Sequence, residues 1–133
     1  MVQQSENVTP PSIEGLLVLV CEDEGLICIL LEDMLEDAGC SIVGPYSSIS
    51  ETMEAIETVE FDVALVDLGL ADGPSDPVLE ELGARSKFFA IMSGNTTIGD
   101  FDAAASLPKP FTFDDVVDTL RLLAQRRSDL SQT

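Results

Sequence analysis

Histidine is absent from this chain of 133 residues, and cations are scarce: 6 Lys+Arg stand against 25 Asp+Glu, a formal net charge of −19. The first absence removes Ser-His and Cys-His catalysis and the commonest zinc ligand. The second makes nucleic acid and anionic membrane surfaces poor partners, because duplex binding rests on cations that replace counterions at phosphates. Arg85, Lys87, Lys109, Arg121, Arg126 and Arg127 are all the chain has to offer them. A basic protein patch or a divalent cation suits it better, although most of the acids need do no more than keep the surface solvated. No run approaches the roughly twenty apolar residues of a membrane span. The start, Met1–Pro11, holds neither a basic stretch nor an apolar one, so it does not read as a secretion signal. These features predict a cytoplasmic protein.

Paired cysteines are also lacking. Cys21, Cys28 and Cys40 are odd in number, show no Cys-x-x-Cys spacing and sit among apolar neighbours. They read as reduced, small core residues. There is no internal repeat and no low-complexity tract. What the chain has is length for one domain and 45% apolar residues, enough for a core without a disulfide or structural metal.

Residues 1–13 read as a loose lead-in, 14–126 as the domain and 127–133 as a tail. Within the domain, strand-like and helix-like segments alternate. Leu16–Val20 is a continuous apolar run, as in a strand buried on both faces. Leu26, Ile27, Leu30, Leu31, Met34, Leu35 and Ala38 follow helical spacing and Gly39 can end that helix. Ser41–Val43 is a short strand stopped by Gly44-Pro45. Ser48 and Glu51 have capping-box spacing ahead of a second helix. Val63–Val66 is a third strand. Pro77 sits inside a short helix capped by Ser75 or Asp76 and closed by Gly83. Phe88–Met92 is a fourth strand, and Thr112 with Asp115 opens a last helix whose stripe is Val116, Val117, Leu120 and Leu123. This alternation predicts an α/β, doubly wound parallel sheet with helices on both faces. Ligands of such sheets bind beyond the carboxyl ends of the strands.

At those ends stand Glu22-Asp23, Asp67-Leu68-Gly69, Ser93-Gly94 and Lys109-Pro110-Phe111. Two carboxylates about 4 Å apart repel by roughly 4 kcal/mol at a near-surface dielectric, so three together bind protons or a cation. Hard carboxylate oxygens describe a magnesium site. A lysine opposite suits a phosphate oxygen, a small hydroxyl a second one, and a carboxylate without a protein base can itself be the nucleophile. Asp72, Asp76, Asp100 and Asp102 lack calcium-loop spacing and read as turn and cap residues. The phenylalanines read as core and Tyr46 as a loop anchor.

Together these motifs resemble the receiver domain of bacterial two-component response regulators over about residues 14 to 126, with a fitting spacing of 44 residues from Asp23 to Asp67. The resemblance implies five parallel strands in flavodoxin-like order 2-1-3-4-5. It implies Asp67 as phosphoacceptor, and Mg2+ held by Glu22, Asp23, Asp67 and the backbone carbonyl of Gly69. Ser93 and Lys109 would hold the phosphoryl group, with Lys109-Pro110 a cis peptide. The donor would be a phosphohistidine on a sensor histidine kinase or histidine phosphotransfer protein. The chain departs from the family pattern in two places. Ser106 stands three before the lysine, where many receivers carry a signalling aromatic, and only residues 94–108 separate Ser93 from Lys109, which shortens the fourth helix. Phe88-Phe-Ala-Ile-Met-Ser-Gly94 partly resembles stand-alone receivers with a Phe-x-Phe-Ala-Thr-Gly stretch. Gly69 offers no side chain to position a hydrolytic water, so loss of phosphate should be slow. With no output domain expected to follow, output would be by protein contact or onward phosphotransfer, and whether phosphorylation dimerises the chain stays open. Two alternatives remain: a degenerate receiver that binds partners independently of phosphorylation, and a small magnesium-dependent phosphatase, which Gly69 disfavours by replacing the usual second carboxylate.

Overall fold

The computed structural model describes residues 12–93 and 103–131. In chain order the elements are β1 (Leu17–Cys21), α1 (Gly25–Asp37), β2 (Ser41–Tyr46), α2 (Ile49–Thr58), β3 (Val63–Asp67), the short strands β4 (Gly69–Leu70) and β5 (Gly73–Pro74), α3 (Asp76–Ala84), β6 (Phe88–Ser93), β7 (Ala105–Pro108) and α4 (Phe113–Ser131). Five strands form one parallel sheet in the order β2-β1-β3-β6-β7. This is the expected doubly wound order, with β6 and β7 as its fourth and fifth strands. The expected short fourth helix lies outside the described residues.

The period of the strands sorts the core into two layers. Val18, Val20, Val63, Leu65, Ala90 and Met92 face α1 and α4, where Leu31, Leu35, Val116, Leu120 and Leu123 meet them. Leu19, Cys21, Ala64, Val66, Phe89 and Ile91 face α2 and α3, where Ala55, Ile56, Val78, Leu79 and Leu82 close the other layer. Every central strand is therefore buried on both sides, which explains its unbroken apolar run.

Local signals set most boundaries. The Ser48 hydroxyl accepts the Glu51 N–H at 3.1 Å, and the Thr112 hydroxyl accepts the Asp115 N–H at 3.1 Å while the Asp115 carboxylate takes the Thr112 N–H at 2.9 Å. Gly39, at φ +85, ends α1 by donating to Glu36 O while Cys40 donates to Leu35 O, a Schellman closure.

Several expectations need correction. β2 runs through Gly44-Pro45 to Tyr46, and Leu19 pairs with Val43 but Cys21 with Tyr46, so one extra residue is absorbed there. Gly44 takes φ +105 with its peptide to Pro45 in cis. A proline is tolerated because β2 is an edge strand, with no neighbour on its far side among the described residues. Tyr46 is thus a strand residue, half-buried against the second layer. Gly83 does not close α3: Ser86 takes the left-handed position at φ 59, with the same Schellman pair of bonds from Ser86 to Gly83 O and Lys87 to Leu82 O. Ile13, placed in the lead-in, is buried in the first layer. α4 continues through residues 127–131, past the predicted start of the tail, and Arg127 anchors that stretch on Asp62 at 2.9 Å. On α1, Leu31 and Leu35 are buried, but Leu26 and Leu30, assigned to the same stripe, are 76% and 47% exposed. Asp72 is a cap, though not of its own turn: its carboxylate accepts the Ile49 and Ser50 N–H groups at the start of α2.

Candidate functional site

Parallel register brings the strand ends into one row. Cys21 pairs with Val66, Asp67 with Met92 and Ser93 with Pro108. The residues that follow or close these strands, Glu22, Asp67, Ser93 and Lys109, therefore stand side by side on one edge. Two further bonds fix that row: Glu22 N–H to Tyr46 O at 2.9 Å and Lys109 N–H to Ser93 O at 2.9 Å. The Lys109-Pro110 peptide is cis, as the resemblance implied. Cys28, half-buried rather than fully in the core, donates its thiol to Glu22 O at 3.3 Å and supports the same turn from below.

Glu22, Asp23 and Asp67 each offer a carboxylate oxygen, and these oxygens lie within 4.8 Å of one another. Their environments differ. Glu22 is 1% exposed, Asp67 is half-buried and Asp23 is exposed. Lys109 Nζ lies 3.0 Å from Glu22 Oε1 and 3.3 Å from Asp67 Oδ2. The approach to Glu22 is off the line of a hydrogen bond, so that buried oxygen is paired by charge yet receives no hydrogen bond. Glu22 Oε2 takes the Glu24 N–H at 3.1 Å, and Asp67 Oδ1 takes the Leu68 N–H at 2.8 Å.

Burial raises the Glu22 carboxyl to about 7; the Asp67 charge adds to this, while Lys109 and the Glu24 N–H work against it. For Lys109, burial works to lower the pKa, but the adjacent Glu22 carboxylate, followed by that of Asp67, holds it above its usual value. The pocket is short of positive charge, and one ammonium serves several carboxylates. The chemistry of the donor set, three carboxylates with an unsatisfied buried oxygen, fits a hard divalent cation.

Gly69 sits two residues beyond Asp67, at the start of β4, opposite Pro74 of β5. This hairpin was not expected; the Ser75 N–H and hydroxyl secure it, both on Leu68 O at 2.9 and 3.0 Å. A Cβ at Gly69 would meet nothing within 4 Å, so no close contact demands glycine there. Ser106 is exposed on β7, opposite Ile91. The residue that sequence reasoning missed is Glu24, whose Oε1 is 3.7 Å from Lys109 Nζ. Its only signal was adjacency to Glu22-Asp23.

This arrangement defines a class: the chain belongs to the receiver family of response regulators. It is 33% identical to SdrG from Sphingomonas melonis Fr1, with a TM-score of 0.73, covering 83% of this chain and 97% of that one. The receiver domain of sensor histidine kinase PA1611 from Pseudomonas aeruginosa PAO1 superposes with a TM-score of 0.75 over 82% of this chain and 97% of that one. At 20% identity this shows the fold, and that structure is described with a magnesium ion in its active site cleft. Among curated proteins, the transcriptional regulatory protein PdtaR of Mycobacterium tuberculosis is 28% identical over 122 residues, 86% of this chain; the chain spans 59% of that relative's length. No family model matches the chain. The chain is a signalling module of the two-component type. No helix among the described residues is long and apolar enough to cross a membrane.

Proposed function

We propose that Asp67 is the phosphoacceptor of a cytoplasmic phosphorelay. The observation that carries this is the half-buried Asp67 carboxylate standing between two further carboxylates and the Lys109 ammonium, at the carboxyl ends of the strands. An Asp67 oxygen attacks the phosphorus of a phosphohistidine on a sensor kinase or phosphotransfer protein. The P–N bond breaks, its electron pair returns to the imidazole, which takes up a proton, and an acyl phosphate remains on Asp67. Glu22, Asp23, Asp67 and the Gly69 carbonyl would hold Mg2+, which when bound supplies positive charge to the phosphoryl oxygens. Lys109 pairs with one phosphoryl oxygen and the Ser93 hydroxyl donates to another.

A protein donor fits the surroundings. Leu26, Ile29 and Leu30 form an exposed apolar strip on α1, one turn from Glu22-Asp23-Glu24. A partner that covers the pocket mouth covers this strip as well. Output then passes by protein contact or onward transfer, and release of phosphate is slow because Gly69 positions no water.

The test is intact mass after incubation with Mg2+ and acetyl phosphate, beside Asp67→Ala. A gain of one phosphoryl group in the parent alone supports the reading. No gain from acetyl phosphate or from a phosphorylated histidine protein sinks it, and partner binding that survives Asp67→Ala favours the phosphorylation-independent module. A phosphate half-life of seconds after donor removal contradicts the slow release.

A further inference from the structure

Lys109 meets a third carboxylate that the mechanism above leaves unused. Glu24 Oε1 stands 3.7 Å from Lys109 Nζ, with its side chain 67% exposed, whereas Glu22 on the same ammonium is fully buried. Glu24 is the N-cap of α1, where a side-chain oxygen ordinarily accepts a first-turn N–H. It makes no such bond. Its carboxylate reaches the lysine instead, while its backbone N–H holds Glu22 Oε2. A side-chain substitution that keeps the backbone therefore leaves the Glu22 contact in place.

We infer that Glu24 is a positioning residue that restrains Lys109 in the unphosphorylated chain and adds a negative charge to the approach of the phosphoryl group. The inference rests on the phosphoacceptor reading of Asp67. An incoming phosphoryl group brings negative oxygens and competes with the carboxylates for one ammonium. Glu24 has the longest and most exposed of the three pairings, so it is the one exchanged first. An exposed ion pair is weak, so releasing it changes a rate by about two- to fivefold rather than by orders of magnitude. The same charge lies beside the proposed divalent site, so removing it weakens Mg2+ binding while it speeds transfer. A residue that only supported the fold would not move the two in opposite directions.

The experiment compares Glu24→Gln and Glu24→Asp with the parent chain. One measurement is the rate of phosphoryl gain from acetyl phosphate at saturating Mg2+; another is Mg2+ affinity by titration. The third is Lys109 acylation by a dilute amine reagent, read by peptide mass with no donor and no metal. For Glu24→Gln the expected result is about two- to fivefold faster gain, a comparable loss of Mg2+ affinity and faster Lys109 acylation, with Glu24→Asp in between. Unchanged transfer and unchanged acylation overturn the inference. A parent that takes no phosphoryl group overturns the phosphoacceptor reading instead, and the acylation ratio then decides alone: raised, it supports the restraint by Glu24; unchanged, it overturns it.

Discussion

The two ends of the central sheet use the same residue types to opposite effect. At the strand beginnings, Asp62 is fully engaged: Oδ2 takes the Leu17 N–H at 2.8 Å and Oδ1 pairs with Arg127 at 2.9 Å. Lys87 beside it donates to Phe61 O at 2.8 Å and lies 4.7 Å from the Phe61 ring centroid. Arg85 is bound to Glu81 at 2.6 Å. Each charged group named there has a partner, and together they tie β1, β3, β6 and α4. At the strand ends, Glu22, Glu24 and Asp67 share Lys109 while Asp23 crowds the same cluster, and a fully buried oxygen goes without a hydrogen bond. A matched cluster holds the fold; an unmatched one leaves binding capacity for a cation and for an anion that brings its own cation. The chain's scarce positive charge is spent where shape must be kept, and withheld where chemistry is expected.

The most severe way to break this contrast is Asp67→Asn. Phosphoryl gain by intact mass should vanish, while the thermal midpoint without metal should rise, because one of three crowded carboxylates loses its charge. A fall in the midpoint would mean that the strand-end cluster also holds the fold. Asp62→Ala tests the other end. It removes the acceptor of the Leu17 N–H and the ion pair with Arg127 and should cost about 1–3 kcal/mol in denaturant unfolding, with Mg2+ affinity and phosphoryl gain unchanged.

The pH dependence comes next. Burial pushes the folded Glu22 carboxyl up to about 7, against 4.5 for the free side chain. Between these values the folded chain holds a proton that the unfolded chain has released. The resulting stability is full below the unfolded value and is lost as pH rises through about 7. Metal-free chain should therefore melt at lower temperature at pH 8 than at pH 5, Mg2+ should restore much of the difference, and Glu22→Gln should flatten the profile. The smallest effect is expected at Ser86, whose φ of 59 is left-handed. Ser86→Gly should stabilise by about 0.5–1 kcal/mol, read as a small rise in midpoint with no change in phosphoryl gain.

Much of this was legible in the sequence because a parallel sheet converts strand ends into neighbours. With Leu16–Val20 and Val63–Val66 as neighbouring parallel strands, Glu22, Asp23 and Asp67 must gather at one edge, and they do; Lys109 joins them from β7, a strand that shows no apolar run of its own. What stayed hidden depended on phase and on distant partners. The helical period of α1 is plain, but seven apolar positions make a stripe too broad to show that Leu26 and Leu30 face out. Glu24 looked like any solvated acid, since its partner arrives from a strand more than eighty residues later. Asp62 carried no signal, because its partners are a backbone N–H on β1 and an arginine near the end of α4. The passage of β2 through Gly44-Pro45 depended on its lying at the edge, a property of topology and not of local sequence.

That edge has a counterpart. β7, at the other margin of the sheet, ends in Pro108, and β2 carries Pro45 near its own end. An unpaired strand invites a second chain to continue the hydrogen-bonded ladder, the first step toward fibrous aggregation. Each margin here lacks an amide hydrogen at one rung, which leaves any added strand a missing rung on whichever side it attempts to join. A protein that must be held at working concentration while it waits for a signal thereby gains protection against growth through its own sheet.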